Sequence, residues 1–182
     1  FSFYATKVIS AGEGGMVLSV DRNITERVRD LSEYADKLDG IARFNLRMSD
    51  VTAALGRSQL GRLESFIARR RNLTARYAAA FEGLGMELPA DVPGGRHIFY
   101  RYAVRVPDVE VFRAMLIDLG IRAERPVHAP LSRMNGVSAS CPGAERAWSR
   151  ILSIPLYPSL SDAEAETVIR AVRETAPQCM RR

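Results

Sequence analysis

The chain opens on short apolar runs broken by polar residues. Val8-Ile9 and Met16-Val17-Leu18 flank the cluster Ala11-Gly12-Glu13-Gly14-Gly15, a pattern that predicts two short strands around a turn. From Asp21 to Tyr34 the spacing becomes helical, with Ile24, Val28 and Leu31 on one face. Residues 35–47 are polar and irregular. Ser49 then reads as an N-cap, and apolar positions recur at helical spacing from Val51 to Leu84. That span exceeds an ordinary helix, so two helices or one bent helix are expected, with Gly56 and Gly61 allowing close packing or a bend.

Beyond Leu84 the pattern shortens. Gly83, Gly85, Pro89, Pro93 and Gly94-Gly95 mark a loop, and Ile98 to Val106 alternates as a strand. Val109 to Leu119 predicts a helix stopped by Gly120, and Ile121 to Val127 a strand. Residues 128–143 form a loop rich in Pro, Ser and Gly. Ala144 to Ile151 predicts a short helix and Ile151 to Ile154 a strand. Ser161 with Glu164 three residues on is a capping box opening a helix to about Thr175. This order predicts a small, mostly antiparallel sheet covered by helices, within an α/β fold class.

Composition narrows the picture. With 182 residues, 47 % hydrophobic and 26 % charged, the chain can bury a real core. No run of eighteen apolar residues is present, so no membrane span is expected. The opening Phe1-Ser2-Phe3-Tyr4 has neither a methionine nor the basic and apolar regions of a signal peptide. It reads as the inside of a domain, and a longer gene product is the expectation. Cys141 and Cys179 form no metal or redox pair, which points to a reducing, cytoplasmic compartment. The net charge is +5, but its basic residues are spread along the chain apart from Arg69-Arg70-Arg71 and the terminal pair, so no nucleic-acid partner is expected.

Of 26 basic residues only Lys7 and Lys37 are lysine. An imine with an aldehyde needs a primary amine that can lose its proton, which arginine effectively never does. Lys7 is therefore a candidate nucleophile; the alternative is chance, since Lys37 persists without an evident role.

The segment Phe1-Ser2-Phe3-Tyr4-Ala5-Thr6-Lys7 followed by Gly12-Glu13-Gly14-Gly15 resembles the S-F-x-x-x-K…G-E-G-G signature of DegT/StrS-type sugar aminotransferases, which are fold-type I enzymes dependent on pyridoxal 5'-phosphate (PLP). Further segments resemble the same family in order: Asn45-Leu46-Arg47-Met48-Ser49, Ala53-Ala54 with Gln59-Leu60, Arg69-Arg70-Arg71 with Tyr77, Arg125-Pro126-Val127-His128-Ala129-Pro130-Leu131, and Leu152-Ser153-Ile154-Pro155-Leu156-Tyr157-Pro158. The resemblance implies that residues 1–48 end a PLP-binding large domain, 49–95 supply interdomain helices and a loop, and 96–178 form an α/β small C-terminal domain.

The resemblance also implies roles. Lys7 would be the Schiff-base lysine and move the proton between cofactor and sugar. Ser2 would donate to the cofactor phosphate, and Asn45 would reach the phosphate across a homodimer with shared sites. Arg47, Arg125, His128 and His97 would meet a nucleotide-linked keto sugar, with glutamate as the amino donor. Leu46 stands where the family often has tyrosine. The stretch from Arg125 to Met134 is similar to perosamine-synthase relatives, and Lys7 argues against the sister enzymes that carry histidine and dehydrate sugars. No metal is expected, because His97 and His128 are isolated, and Trp148 is expected in the core. The rest of a PLP pocket would lie N-terminal to the lysine, so these 182 residues alone are expected to be inactive. Loss of that part, a split enzyme, and a non-catalytic dimerising or regulatory remnant are the explanations open at this point, the first being favoured.

Overall fold

Asp21, Ser49, Asp108 and Ser161 each cap a helix start with a side-chain oxygen. The computed structural model describes residues 1–134 and 140–180, and part of the loop expected over 128–143 lies outside them. The elements are α1 (Arg22–Leu31), α2 (Asp50–Leu60), α3 (Leu63–Phe81), β1 (Tyr102–Arg105), α4 (Val109–Asp118), a 3-10 turn (Leu131–Arg133), α5 (Pro142–Arg150), β2 (Ile151–Ile154) and α6 (Asp162–Cys179). Contacts divide the chain into two units, Phe1–Ser65 and Phe66–Arg182.

In the first unit, Asp21 caps α1 by accepting from the Asn23 amide at 2.9 Å, and Ser49 caps α2 by accepting from the Thr52 amide at 3.2 Å. The long helical pattern breaks at Gly61-Arg62, giving two helices, the first of the two arrangements expected from the sequence. The two strands expected at Val8-Ile9 and Met16–Leu18 do not form. In their place is one antiparallel bridge, Ser2 with Gly15, flanked by Phe3 N–H to the Gly14 carbonyl and Met16 N–H to the Phe1 carbonyl, both 2.9 Å. The physical reason is loop closure: the Ala11 amide donates to the Phe3 carbonyl at 2.9 Å, so Val8-Ile9 is bent within a loop and faces no strand. Ala11 is the one buried apolar residue of this unit among the described residues, while Phe1, Leu18, Leu38, Leu46 and Val51 are widely exposed.

The second unit carries the hydrophobic core. Strands β1 and β2 pair antiparallel, Tyr102 opposite Ile154 through Arg105 opposite Ile151. Their inward residues Tyr102, Val104, Leu152 and Ile154 are buried, as period-two patterning requires. Leu73, Tyr77 and Phe81 line one stripe of α3 against them, and α4 and α6 pack on each other. Tyr77 meets Tyr102 edge-on at 5.2 Å and donates its hydroxyl to the Pro155 carbonyl at 3.0 Å. Burial pushes the Tyr102 phenol up to about 12. Fully buried Leu73, Phe112 and Leu116 each contribute about 1.5–3 kcal/mol by leaving water.

Single bridges extend this sheet on both sides: Glu87 with Arg105, and Glu124 with Ser153. The strand expected over Ile121–Val127 is thus reduced to one rung. The register explains it. The next hydrogen-bonded rungs would put Pro126 opposite Ile151 and Pro155 opposite Arg122, and proline has no N–H to give. Beside β1 the same limit holds, because Pro89 and Pro107 occupy the rungs that would follow Glu87–Arg105. Both edges are therefore blunted. Gly120 ends α4 at φ 77°, and the Ser161–Glu164 capping box opens α6, which runs past the expected Thr175 to Cys179.

Candidate functional site

Lys7 lies on the loop that closes between Phe3 and Ala11. Its amide donates to the Tyr4 carbonyl at 2.9 Å, completing a tight turn, and Lys7 is exposed. Ser10 braces the loop from inside, donating to the Phe3 carbonyl at 3.4 Å and accepting from the Gly12 amide at 3.1 Å. Gly12 and Gly14 take φ 85° and 121°, the left-handed side of backbone space that glycine enters without strain. A Cβ on Gly14 would stand 2.7 Å from Met48 Cε, so the end of the Met48 side chain lies directly beside this turn. Gly56 on α2 similarly lets the helix approach Ala11, at 3.7 Å from a Cβ placed there.

Ser2 is on the same looped segment. Its Oγ accepts from the Tyr4 amide at 3.4 Å, which leaves the hydroxyl proton to donate elsewhere. Asn45 is exposed and makes no hydrogen bond among the described residues. Arg47 is exposed and paired with Glu33 at 2.9 Å. Backbone bonds from Phe44 N–H to the Leu31 carbonyl (3.0 Å) and from Leu46 N–H to the Ser32 carbonyl (3.2 Å) hold this segment to the end of α1. Arg43 fastens it further, with Nη1 and Nη2 on Asp39 at 2.5 and 2.6 Å and Nε on Asp30 at 3.0 Å. The Arg43 guanidinium holds the Asp39 carboxyl well below the usual carboxylate range; Lys37 first, then Arg43, lowers Asp30.

In the second unit Arg125 and His128 come together. They line a pocket of about 300 Å³ with Glu110, Arg113 and Glu124. Arg125 places Nη2 at 2.7 Å and Nε at 3.2 Å from Glu110, and its side chain is only 15 % exposed. Arg113 pairs with Glu124 at 3.1 Å. The imidazole of His128 is exposed and makes no hydrogen bond among the described residues. Two ion pairs and an open imidazole suit a ligand rich in hydroxyls, each of which both donates and accepts. Glu110, Arg113 and Glu124 were not legible as site residues. Their one signal was the spacing of Glu110 and Arg113, which puts both on one face of α4.

His97 is not among that pocket's lining residues. It sits with Arg71 and Asp91: Arg71 grips the Asp91 carboxylate at 3.2 and 2.9 Å and the His97 carbonyl at 2.7 Å, while the His97 amide donates to Asp91 at 2.6 Å. Its Nδ1 accepts from the Phe99 amide at 2.8 Å, at a residue held at φ 48°. Trp148, expected in the core, is instead half-buried outside it, with the guanidinium carbons of Arg125 and Arg133 at 3.9 and 4.2 Å from its ring centre.

An aldehyde cofactor carrying a phosphate requires a reachable primary amine and hydroxyl or amide donors. Exposed Lys7 and Ser2 on one glycine-closed loop fit that donor set. Among the described residues no group of three His, Cys, Asp or Glu side chains could hold a metal, and no helix is long and apolar enough to cross a membrane.

Comparison with known proteins finds relatives that are named for sugar biosynthesis. The dTDP-3-amino-3,4,6-trideoxy-alpha-D-glucose transaminase of Micromonospora megalomicea subsp. nigra is 36 % identical over 190 residues, covering 96 % of this chain and 51 % of that protein. The spore coat polysaccharide biosynthesis protein SpsC of Bacillus subtilis is 32 % identical, covering 96 % and 52 %. Among solved structures, the aminotransferase TlmJ from Streptoalloteichus hindustanus superposes with a TM-score of 0.88 at 33 % identity, covering 96 % of this chain and 50 % of that one. S. venezuelae DesV, solved with a ketimine intermediate, superposes with a TM-score of 0.88 at 32 % identity, covering 97 % and 50 %. The chain spans about half the length of the curated relatives it matches. The fold is that of a C-terminal portion of a fold-type I aminotransferase. The profile of the DegT/DnrJ/EryC1/StrS aminotransferase family matches residues 1–173, and the chain belongs to that family.

Proposed function

We propose that this chain is the lysine-bearing half of a PLP-dependent aminotransferase that moves an amino group, from glutamate, to a nucleotide-linked keto-deoxysugar. The observation that carries the reading is Lys7: an exposed primary amine on a glycine-closed loop in a member of an aminotransferase family. PLP, when bound, would supply an electron sink that makes a proton on the amine-bearing carbon removable.

The chain's own residues have distinct tasks in this reading. Lys7 holds the cofactor through its ε-nitrogen and carries the proton between donor and acceptor carbons as a general base and acid. Ser2 and Asn45 donate to the phosphate, Asn45 across a homodimer. Arg47, a planar cation on an exposed segment, meets the same phosphate or the substrate diphosphate. Arg125 and His128 face the sugar, and the family resemblance gives His97 to the substrate as well, although it does not line that pocket. The two ion pairs at the pocket favour sugar hydroxyls over phosphate there. A perosamine-type sugar aminated at C4 and a cytoplasmic setting complete the reading.

The exposed apolar residues of the first unit support a site completed by further polypeptide, since Phe1, Leu18, Leu38, Leu46 and Val51 have no core of their own. The test is absorbance. The intact enzyme mixed with PLP turns yellow, and Lys7→Ala abolishes the visible band. A band that persists in Lys7→Ala, or none in any preparation, counts against this reading, and the absence of any band favours a non-catalytic member of the family.

A further inference from the structure

Helix α5 buries none of its residues, yet the segment from Arg125 to Arg133 is fastened to it. The fastener is Trp148, the only tryptophan of the chain. Its ring has the Arg125 guanidinium at 3.9 Å and that of Arg133 at 4.2 Å. Its Nε1 donates to the Val127 carbonyl at 3.0 Å, and its own carbonyl accepts from Arg125 Nη1. One turn earlier on the same helix face, Glu145 accepts from Ser132 Oγ at 2.7 Å and Arg133 Nε at 2.8 Å. Two cations that would repel each other in water are held near one π-system, whose quadrupole attracts both.

We propose that Trp148 is a positioning residue: by clamping Arg125 and Arg133 it fixes the course of segment 125–133, and so sets Arg125 and His128 at the pocket they share with Glu110. The proposal rests on the reading of that pocket as the sugar-facing one. Arg125 has two tasks that compete for its orientation. Its Nε and Nη2 turn to Glu110, while Nη1 and the flat of the guanidinium are given to Trp148. Without the indole, the cation is free to rotate out of the plane that faces Glu110. A purely apolar replacement would fill the space without restoring the orientation. An aromatic replacement would restore the stacking, losing only the hydrogen bond to Val127.

Amide hydrogen exchange on this chain tests it. In Trp148→Leu, amides of residues 125–134 exchange faster by roughly five- to thirtyfold, the factor expected for two ordinary cation–π contacts, while amides of α3 and α6 are unchanged. Trp148→Phe returns most of the protection. In the PLP-loaded enzyme the glutamate half-reaction, read from the cofactor absorbance, proceeds at the wild-type rate in Trp148→Leu. Uniform loss of protection across the unit, no change at 125–134, or equal effects in the Leu and Phe variants would overturn the proposal, as would a slowed half-reaction in Trp148→Leu. Absence of any half-reaction in the wild type counts against the Lys7 reading alone, and leaves the exchange result to decide the role of Trp148.

Discussion

Arg70 on α3 donates from Nη1 to the carbonyl of Leu156 at 2.9 Å, across 86 residues of sequence. The same nitrogen reaches the Phe99 and Tyr100 carbonyls at 3.2 and 3.0 Å, and no carboxylate among the described residues pairs with it. A charge buried among carbonyls is tolerated because three acceptors replace its water. Removing it strands all three.

Arg70→Met is therefore expected to lower the stability of the second unit by about 2–4 kcal/mol, since hydrogen bonds to a charged group are worth more than neutral ones. Chemical denaturation monitored by far-UV circular dichroism checks this. Arg70→Lys is expected to recover part of the loss, because all three bonds come from one nitrogen and an ammonium carries three donors. A loss below about 0.5 kcal/mol, the range of ordinary surface changes, contradicts the assignment.

The Arg43 clamp predicts a pH signature. Arg43 holds Asp39 below the usual carboxylate range, and Lys37 with Arg43 does the same for Asp30. A lowered folded-state pKa means the unfolded chain takes up the proton first, so the contribution to loop order is complete above the ordinary carboxylate value near pH 4 and is lost as pH falls through the folded value. Carbon-13 titration of the carboxyls should find Asp39 still ionised at about pH 3 in the wild type, and titrating near pH 4 in Arg43→Met. Identical titrations in both proteins would show that the pair does not form.

A Cβ on Gly15 would stand 2.9 Å from the Phe1 carbonyl oxygen, inside contact distance of rigid backbone. Gly15→Ala must displace the Ser2–Gly15 bridge and with it the loop that carries Lys7. We expect PLP affinity in the intact enzyme to fall roughly tenfold, at the scale of an overpacked site, measured by titrating the visible band. Gly143→Ala, where a Cβ meets nothing within 4 Å, serves as the control.

Much of the fold was legible wherever one residue type has one local job. Ser49 and the Ser161–Glu164 pair announced helix starts, and Gly120 announced a stop; of Gly56 and Gly61, read alike as sites of close packing or a bend, the break falls at Gly61. Strand edges were not legible, because pairing depends on what lies opposite. Ile121–Val127 reads as a strand until Pro155 and Pro126 are seen to occupy the neighbouring rungs. The end of α6 was missed for a similar reason: Ala176 and Cys179 pack into the core, and that burial carries the helix past Thr175 and through Pro177. At the candidate site, Lys7 and Ser2 came from the resemblance of residues 1–15 to a family signature. The partners of Arg125 were not, since Glu110 and Trp148 are distant in sequence and meet it only through the fold.

The central claim is that the Lys7 amine links covalently to a bound aldehyde. Borohydride reduction of the intact enzyme with PLP, followed by peptide mass spectrometry, measures this directly. The account predicts one pyridoxyl group, on the peptide containing Lys7. Labelling at Lys37 or elsewhere in place of Lys7, or no labelling at all, contradicts it.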